Sequence, residues 1–355
     1  MTGMAPPPAP STTRRRITVL GAGVAGLAAA HLLARGGHEV ELVDAEFTAP
    51  GVGTTLGLFP PAQRVLERIG VLEAVREEAA APREGRLVAA DGRVLARVPA
   101  GGVLLASRTV LNEAMLASLP ASVRCRRRQV SDVRPLLDGT EILVAADGVR
   151  SLTRSSGWGA RARARRHGQT VLRGTTTAPP PDVSETWGRG WLFGITPLRD
   201  GGTNWFASLP EHREPDTSRA LAHARRTLGG IRPEIDAVLA AATPERTLVQ
   251  GILTAPPVWP ARGRVVLIGD AAHAMAPNLG HGANTALADA GALADVLASS
   301  SGPAEAALQR YARRRHLPDQ GWRVASQLMM AAATWTLIAP TRDAVLRAMR
   351  PLLLR

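Results

Sequence analysis

Short apolar runs that end at glycine or aspartate alternate with longer Ala- and Leu-rich segments along this chain. The runs at 17–20, 141–146 and 265–268 have the length and continuous apolar character of buried parallel strands. Segments with helical spacing follow the first and last runs, to about residues 34 and 297. Strands that alternate with helices in this way predict an α/β fold built on a parallel sheet.

The first strand runs into the glycine pattern Gly21-Ala-Gly23-Val-Ala-Gly26, and a second strand, 39–43, ends at Asp44. In a dinucleotide-binding turn the first glycine permits the tight turn, the second admits a pyrophosphate and the third lets the helix pack on the strand. A carboxylate about 20 residues further on binds a ribose hydroxyl. The segment therefore predicts dinucleotide binding. The alternative is a glycine-rich turn in an ordinary α/β domain.

Two further strands end at an aspartate paired with glycine. The strand at 265–268 stops at Gly269-Asp270, and Gly280-His-Gly282 then opens a helix of small residues. Ligands bind at the carboxyl ends of parallel strands, and helix N-termini bind negative charge. This segment therefore predicts a site for a nucleotide-like cofactor that becomes anionic. The strand at 141–146 ends in Asp147-Gly148, which alone indicates only a turn.

In this order and spacing, the three segments resemble the flavoprotein monooxygenases of the para-hydroxybenzoate hydroxylase and salicylate hydroxylase type. Similarity extends over roughly residues 15–320. It includes the segments 53–71, 108–116 and 187–207, which resemble the family's Gly-Ala-Gly-Ile segment and next helix, its Arg-x-x-Leu helix and strands of its substrate-side sheet.

The resemblance implies which residues contact FAD. Asp44 matches the ribose acid, Arg108 an arginine on FAD, Asp147 the aspartate of the central motif and Asp270 the aspartate on the flavin side. The full set of implied cofactor residues is Gly21, Gly23, Gly26, Asp44, Thr54, Arg108, Val130, Asp147, Asp270, Pro277, Gly280, Gly282 and Ala283.

The chain also departs from the family pattern. His281 stands where the family usually has Gln, so it is a candidate for contact with substrate or flavin, or a tolerated neighbour whose backbone matters. Thr55 and Gly57 replace positions that carry Gly and His in some relatives. The segment between Val130 and Glu141 is shorter than the family's β-meander.

The implied reaction is monooxygenation. NADPH or NADH reduces FAD, and a flavin hydroperoxide formed with O2 hydroxylates or epoxidises a small aromatic or otherwise electron-rich substrate. We assign no catalytic residue, although His212, His223 and His281 are candidates for a base, and we expect no metal. One alternative is an FAD-dependent reductase or dehydrogenase without oxygen insertion. Another is a non-enzymatic, basic nucleic-acid or scaffold protein.

Aromatic residues make up only 3% of the chain, so their clustering at 187–206 is notable. Strand spacing places some of them on one face of a sheet. Trp191, Phe193 and Trp205 are therefore candidates for the ceiling of an aromatic-substrate pocket. Core packing is the alternative.

The predicted fold class is α/β, with a Rossmann-like FAD-binding domain (GR2-type), an inserted, mostly antiparallel substrate domain and C-terminal helices. The FAD-binding domain is expected to be discontinuous. We predict a disordered tail at 1–13, the FAD-binding domain at 14–82, 99–155 and 262–300, the substrate domain at 83–98 and 156–261, and C-terminal helices at 301–355.

The net charge is +13, and all 43 basic residues are arginine. No nucleic-acid-binding module accompanies the arginine runs, so we expect solvated basic faces and no nucleic-acid partner. The single cysteine, Cys125, is typical of a reducing cytoplasm. The apolar stretch at 329–340 is too short to span a bilayer. We expect a cytoplasmic monomer or homodimer.

Overall fold

The computed structural model describes residues 13–49, 51–52, 54–180, 183–210, 216–336 and 339–348. Almost all of the predicted N-terminal tail lies outside the described residues, as do Gly53, His212 and the last residues of the predicted C-terminal helices.

Strands and helices are interspersed along the described part of the chain. The strands are β1 (Arg16–Leu20), β2 (Glu39–Asp44), β3 (Thr55–Leu58), β4 (Glu84–Ala89), β5 (Val94–Pro99), β6 (Leu104–Ser107), β7 (Arg124–Arg127), β8 (Ile142–Ala145), β9 (Arg165–Thr176), β10 (Ser184–Trp187), β11 (Leu192–Pro197), β12 (Thr203–Pro210), β13 (Thr247–Thr254), β14 (Ala261–Arg262) and β15 (Val265–Leu267). The helices are α1 (Val24–Arg35), α2 (Pro60–Ile69), α3 (Leu72–Glu77), α4 (Arg108–Ala117), α5 (Leu152–Gly157), α6 (Thr217–Leu228), α7 (Pro233–Ala241), α8 (Asp270–His273), α9 (Gly282–Ala298), α10 (Ala304–Thr334) and α11 (Ala339–Ala348).

The first sheet has the strand order β14-β15-β8-β1-β2-β7 and is parallel except for the β14–β15 pair. Its central strands are apolar on both faces because helices cover them. Val19 and Val144 are fully buried in one core with Leu27 of α1 and Leu287 of α9. Parallel pairing brings the carboxyl ends of β1, β2, β8 and β15 to one edge. All three predicted motifs follow these ends, and the predicted Rossmann-like fold class is confirmed.

The second sheet has the strand order β13-β9-β12-β11-β10-β4-β5 and is antiparallel except for the β10–β4 pair. One face packs against α6 and α7, and the other packs against Ala276 and α10. Its strands fall essentially within the two ranges predicted for the substrate domain, whose boundaries stay a prediction. Part of the segment 187–207, which resembles substrate-side strands, forms a hairpin. Gly190, with φ +84°, turns the chain between β10 and β11.

Three smaller features complete the fold. β3 and β6 form a two-stranded sheet between the two larger ones. The short segment after Val130 forms a single turn of 3-10 helix at Arg134–Leu136, whose apolar side chains pack against Leu143 of β8. Helix α10 is 31 residues long and contains Pro318 in its interior.

Among the described helices, none combines the length and apolar composition that crossing a membrane requires.

Candidate cofactor and substrate site

The glycine turn after β1 is shaped by two close backbone contacts. Gly21 has φ +104°, and a Cβ there would lie 2.3 Å from the carbonyl oxygen of Ala146. A Cβ on Gly26 would lie 1.8 Å from the carbonyl oxygen of Gly21. A Cβ on Gly23 would meet no atom within 4 Å. Gly21 and Gly26 therefore serve close packing, whereas Gly23 faces open space at the start of α1.

Asp44 lies beside this turn. Its carboxylate accepts hydrogen bonds from the backbone N–H of Ala22 at 2.5 Å and of Glu46 at 3.0 Å. These bonds hold one carboxylate oxygen against the glycine turn. Ribose binding by Asp44 stays a prediction that this position favours.

Asp270 is the first residue of α8, directly after the carboxyl end of β15. Gly269 precedes it with φ +58°, and a Cβ there would lie 2.8 Å from the Cβ of Ala25, so the turn packs tightly on α1. The side chain of Asp270 is exposed, and its carboxylate makes no hydrogen bond or ion pair with any residue of the described ranges. It is free to accept hydrogen bonds from a ligand.

The N-terminus of α9 is also open to a ligand. His281 precedes the helix and provides no side-chain cap, and among the described residues no side chain accepts a hydrogen bond from the first amides of α9. Cβ atoms on Gly280 or Gly282 would meet nothing within 4 Å. Asn284, which the sequence did not single out, fixes this end of the helix. Its amide oxygen accepts from the N–H of Phe59, and its NH2 group donates to the carbonyl oxygens of Gly57 and Gly280.

Five other predicted cofactor positions lie as follows. Thr54 and Arg108 are adjacent, because the Arg108 N–H donates to the Thr54 carbonyl at 2.9 Å. Val130 packs beside Leu20 at the end of β1. Ala283 packs on the main core, and Pro277 is exposed just before α9. Cofactor contact at these positions stays a prediction.

Asp147 is engaged within its own segment. Its carboxylate accepts hydrogen bonds from the hydroxyl of Ser151 and from both the N–H and the hydroxyl of Thr153, at 2.6–3.0 Å. These bonds stabilise the start of α5, so the local role of this aspartate is that of a helix cap. The predicted contact with FAD stays untested.

Arg154 is a structural residue of the site that sequence reasoning missed. Its side chain is fully buried and donates to the carbonyl oxygens of Ala162, Asp270 and Ala271 at 2.8–3.1 Å, and to that of Val149. The guanidinium thereby joins the segment after Asp147 to the segment that carries Asp270. Nothing in the sequence distinguishes it from the 42 other arginines.

The three aromatic residues predicted to line a substrate pocket lie in the core between the second sheet and helices α6 and α7. Trp191, Phe193 and Trp205 are at most 8% exposed and pack with the side chains of α6 and α7. Phe193 and Trp205 stack with ring centroids 5.8 Å apart. This placement favours the core-packing alternative, and contact of these three residues with a substrate stays a prediction. The opposite sheet face, which carries Phe206 and Arg173, faces the segment that contains Ala276.

Comparison with known proteins bears on what this arrangement binds. A family model described as an FAD binding domain matches residues 120–327, and one described as an NAD(P)-binding Rossmann-like domain matches residues 19–55. The chain is 31% identical to 2-heptyl-3-hydroxy-4(1H)-quinolone synthase of Pseudomonas aeruginosa, over 86% of this chain and 87% of that protein. It is 30% identical to a 3-amino-4-hydroxybenzoate 2-monooxygenase of Streptomyces platensis, over 86% and 85%.

The chain belongs to the FAD-dependent monooxygenases. Among solved structures, Klebsiella pneumoniae HpxO in complex with FAD and uric acid has a TM-score of 0.82 at 21% identity, covering 96% of this chain and 95% of that one, which shows a shared fold. The enzyme is therefore an oxidoreductase that uses FAD with NAD(P)H as co-substrate. The alternative of an FAD-dependent reductase without oxygen insertion does not fit these relatives.

The residues of this monooxygenase fit FAD. The open space at Gly23, the free carboxylate of Asp270 and the uncapped start of α9 lie at the carboxyl edge of one sheet. A pyrophosphate suits the glycine turn and the amides of a helix N-terminus. A carboxylate suits the hydroxyls of the ribityl chain. The start of α9 suits a ring that becomes anionic.

His281 is held between two aromatic rings. Its ring lies 4.6 Å from that of Phe59 and 3.5 Å from that of Trp322 on α10, in stacked geometry. Its Nδ1 donates to the carbonyl oxygen of Leu279 at 2.7 Å. Burial lowers the pKa of His281, which favours the neutral ring. The ring stack links the start of α9 to α2 and α10, and contact with substrate stays a prediction. His223 lies on α6, which packs on the sheet face opposite to that of Arg173.

We expect Glu185→Gln to make the enzyme more stable than wild type at alkaline pH. Burial raises the pKa of Glu185 to about 7, although the indole N–H of Trp187 at 2.5 Å opposes the shift. The unfolded carboxyl titrates near 4.5. The folded state therefore retains a proton that the unfolded state releases, so stability falls as pH rises from about 4.5 to 7. The variant should avoid this loss, which is on the order of 1–3 kcal/mol.

The measurement is denaturant unfolding of both proteins at pH 5 and pH 8.5. The difference between variant and wild type isolates Glu185 from other groups that titrate in this window. Glu113→Gln, at an exposed position on α4, is the matched control and should leave the pH profile unchanged. Parallel profiles for wild type and Glu185→Gln would show that Glu185 ionises normally in the folded state.

Proposed function

We propose that this monooxygenase inserts one oxygen atom from O2 into a small aromatic or otherwise electron-rich substrate, by hydroxylation or epoxidation. The observation that carries the proposal is the shared location of the free Asp270 carboxylate, the open glycine turn and the uncapped α9, beneath a largely apolar face of the second sheet. The names of the relatives support an aromatic substrate, since they act on quinolone and hydroxybenzoate compounds, and a further relative is 6-hydroxynicotinate 3-monooxygenase of Bordetella bronchiseptica.

The chain contributes binding and orientation. The chemistry that FAD supplies when bound is the transfer of electrons from NAD(P)H to O2 and of one oxygen atom to the substrate. Asp270 would hold the cofactor by hydrogen bonds, and the amides at Gly282 and Ala283 would stabilise negative charge on it. The sheet face with Val171, Leu192 and Phe206 would exclude water from the reacting groups, which this chemistry requires.

The free cysteine and the net positive charge support a proposal about cellular location and partners. An exposed free thiol at Cys125 is compatible with a reducing cytoplasm. The strongly positive charge would attract NADPH or NADH and anionic substrates alike. We propose a cytoplasmic monomer or homodimer that acts on small molecules and not on nucleic acid.

Purified FAD-loaded enzyme is expected to oxidise NAD(P)H beyond one equivalent per flavin only when O2 is present, and one atom of 18O2 should appear in the product. Parallel reactions with NADPH and NADH identify the co-substrate. A panel of hydroxylated benzoates, quinolones and nicotinates is the starting set, because the names of the relatives indicate such compounds. Reduction of a panel compound under anaerobic conditions, with no label in any aerobic product, would overturn the proposal in favour of a reductase.

A further inference from the structure

Helix α10 presents a continuous apolar face to the outside of the molecule. On the opposite face, Met330 and Ala333 pack with Ala276 and the second sheet. An α-helix has 3.6 residues per turn, so the positions that point directly away from this buried face can be assigned. Between residues 317 and 335 none of these positions carries a polar side chain. This exposed stripe consists of Leu317, Gly321, Val324, Leu328, Ala331 and Trp335.

The exposed stripe contains the two most exposed large apolar side chains of the described residues. Leu317 is 77% exposed and Leu328 is 66% exposed, while Val324 and Trp335 are 42% and 52% exposed. Single exposed apolar residues are normal on a protein surface, but a contiguous apolar patch marks an interaction site. The stripe extends over about 27 Å of helix, so it indicates a partner that contacts α10 along five turns.

The stripe has the same order of residues in both directions. Its large side chains are spaced by seven, four and seven positions from Leu317 to Trp335, and a small residue stands four positions in from each end. The centre of the pattern is level with Ser326. A second α10 that lies antiparallel across this point matches the pattern along its whole length, as a two-fold axis requires. It pairs Leu317 with Trp335, Gly321 with Ala331 and Val324 with Leu328.

Three exposed arginines exclude the parallel arrangement of two such helices. Arg310, Arg313 and Arg314 lie on the same face of α10, immediately before the stripe. In a parallel pair the arginines of both copies would meet, and like charges in contact repel each other. In an antiparallel pair the two groups lie at opposite ends of the contact, about 40 Å apart.

A lipid surface is the other kind of partner that takes an apolar helix face. Interfacial helices carry basic side chains along their polar face, beside the apolar one. Between residues 317 and 335 the charged residues are Asp319 and Arg323, and both are buried. A lipid surface also imposes no two-fold symmetry on the spacing of residues. The composition and the order of the stripe therefore favour a second copy of the chain.

We infer that the protein is a homodimer in which α10 packs antiparallel on α10 of a second copy, about a two-fold axis level with Ser326. This contact does not depend on the proposed oxygenation. Trp322, on the same helix, stacks on His281 at the start of α9, so the helix that carries the interface also borders each candidate active site. A contact built on one pair of helices is at the small end of interface sizes, so we expect a dissociation constant in the micromolar range.

Sedimentation equilibrium of the FAD-loaded enzyme tests the contact at protein concentrations from about 1 to 100 μM. Wild type should approach twice the mass of one chain as the concentration rises. Leu328→Asp should raise the dissociation constant by at least roughly a hundredfold, because it places an unpaired carboxylate on each side of the contact. Leu317→Asp should have the same effect at the end of the stripe. Val98→Asp is the matched control, since Val98 is 55% exposed on β5, and it should leave the dimer intact.

Disulfide trapping tests the direction of the helices. Cys125→Ser removes the natural thiol, and Val324→Cys and Leu328→Cys are then introduced in separate chains. After the two proteins are mixed and oxidised, a disulfide should link residue 324 of one chain to residue 328 of the other. Each protein oxidised alone should yield little linked dimer, because the same position in the two copies is offset by about 6 Å along the helices.

The inference is overturned if wild type stays monomeric up to about 100 μM, or if Leu328→Asp and Leu317→Asp both dimerise as wild type does. Efficient linkage of Val324→Cys with itself would show a parallel pair and would also overturn it. A monomeric wild type that binds vesicles of phosphatidylglycerol and phosphatidylcholine, with binding lost in Leu328→Asp, would assign the stripe to a membrane surface instead.

Discussion

Replacing Asp270 with alanine is expected to weaken FAD binding by roughly ten- to a hundredfold. The carboxylate stands at the carboxyl end of β15, exposed and without a partner among the described residues. Hydrogen bonds from cofactor hydroxyls to a carboxylate contribute about 1.5–3 kcal/mol, and alanine removes them. Titration of the apoprotein with FAD, followed by flavin fluorescence, measures the change directly.

Two further variants separate binding from folding. Asp270→Asn keeps the shape and loses the charge, so its FAD affinity should fall between those of wild type and Asp270→Ala. Glu305→Ala removes one exposed carboxylate at the start of α10 and should bind FAD as wild type does. The apoproteins should unfold at nearly the same temperature, because the Asp270 carboxylate makes no hydrogen bond or ion pair with the described residues. Unchanged flavin occupancy in folded Asp270→Ala would remove Asp270 from the cofactor site.

The elements of the first sheet were predictable because their signals are local. An apolar run between a polar flank and a glycine indicates a buried parallel strand at 17–20 or 265–268 without reference to the rest of the chain. The glycine pattern is equally local, since Gly21 and Gly26 contact each other and the carboxyl end of β8. The fold class and the positions of the three motifs follow from such signals.

The orientation of the second sheet was not predictable in the same way. Trp205 and Phe206 are adjacent on β12 and point to opposite faces, and the sequence gives no reason to assign either to the cleft. The assignment depends on α6 and α7, which come later in the chain and cover the face of Trp205. For the same reason the sequence could not single out Arg173 among 43 arginines. Only the sheet register shows that it lies beside Phe206.

Buried ionic contacts behind the cofactor edge were also missed, because they join residues from three helices. His273 of α8 donates from Nε2 to Asp289 of α9 at 2.7 Å, and Arg315 of α10 donates from Nε to the same carboxylate at 2.8 Å. Arg315 also binds Asp319. The N–H of Gly269 donates to Asp289 at 2.8 Å. The network therefore fixes the residue immediately before Asp270.

The charges in this network depend on one another. Burial opposes the charge on His273, yet Asp289 and Asp319 raise the pKa of His273 to about 9. Burial likewise opposes ionisation of Asp289, but His273 and Arg315 hold the pKa of that carboxyl well below its usual value. Burial and the charge of Asp289 raise the pKa of Asp319 to about 8. Asp289 is thus the anion on which both cations depend.

Replacing Asp289 with alanine should lower the free energy of unfolding by about 3–5 kcal/mol, since it leaves His273 and Arg315 buried with only Asp319 to pair with. Chemical denaturation of the apoprotein measures this loss. Asp295→Ala is the matched control on the same helix. Asp295 is 40% exposed and pairs with Arg68 and Arg314 at the surface, so its loss should cost about 0–1 kcal/mol.

Asp289→Asn distinguishes charge from shape in the same experiment. The amide can still accept from Gly269 and His273, but it carries no charge for Arg315, so the variant should lie between alanine and wild type in stability. FAD affinity should fall in both Asp289 variants and not in Asp295→Ala, because only Asp289 holds the backbone before Asp270. Equal losses of stability in Asp289→Ala and Asp295→Ala would contradict the assignment. Removing a buried anion that pairs with two cations should lower the free energy of unfolding more than removing a solvated one.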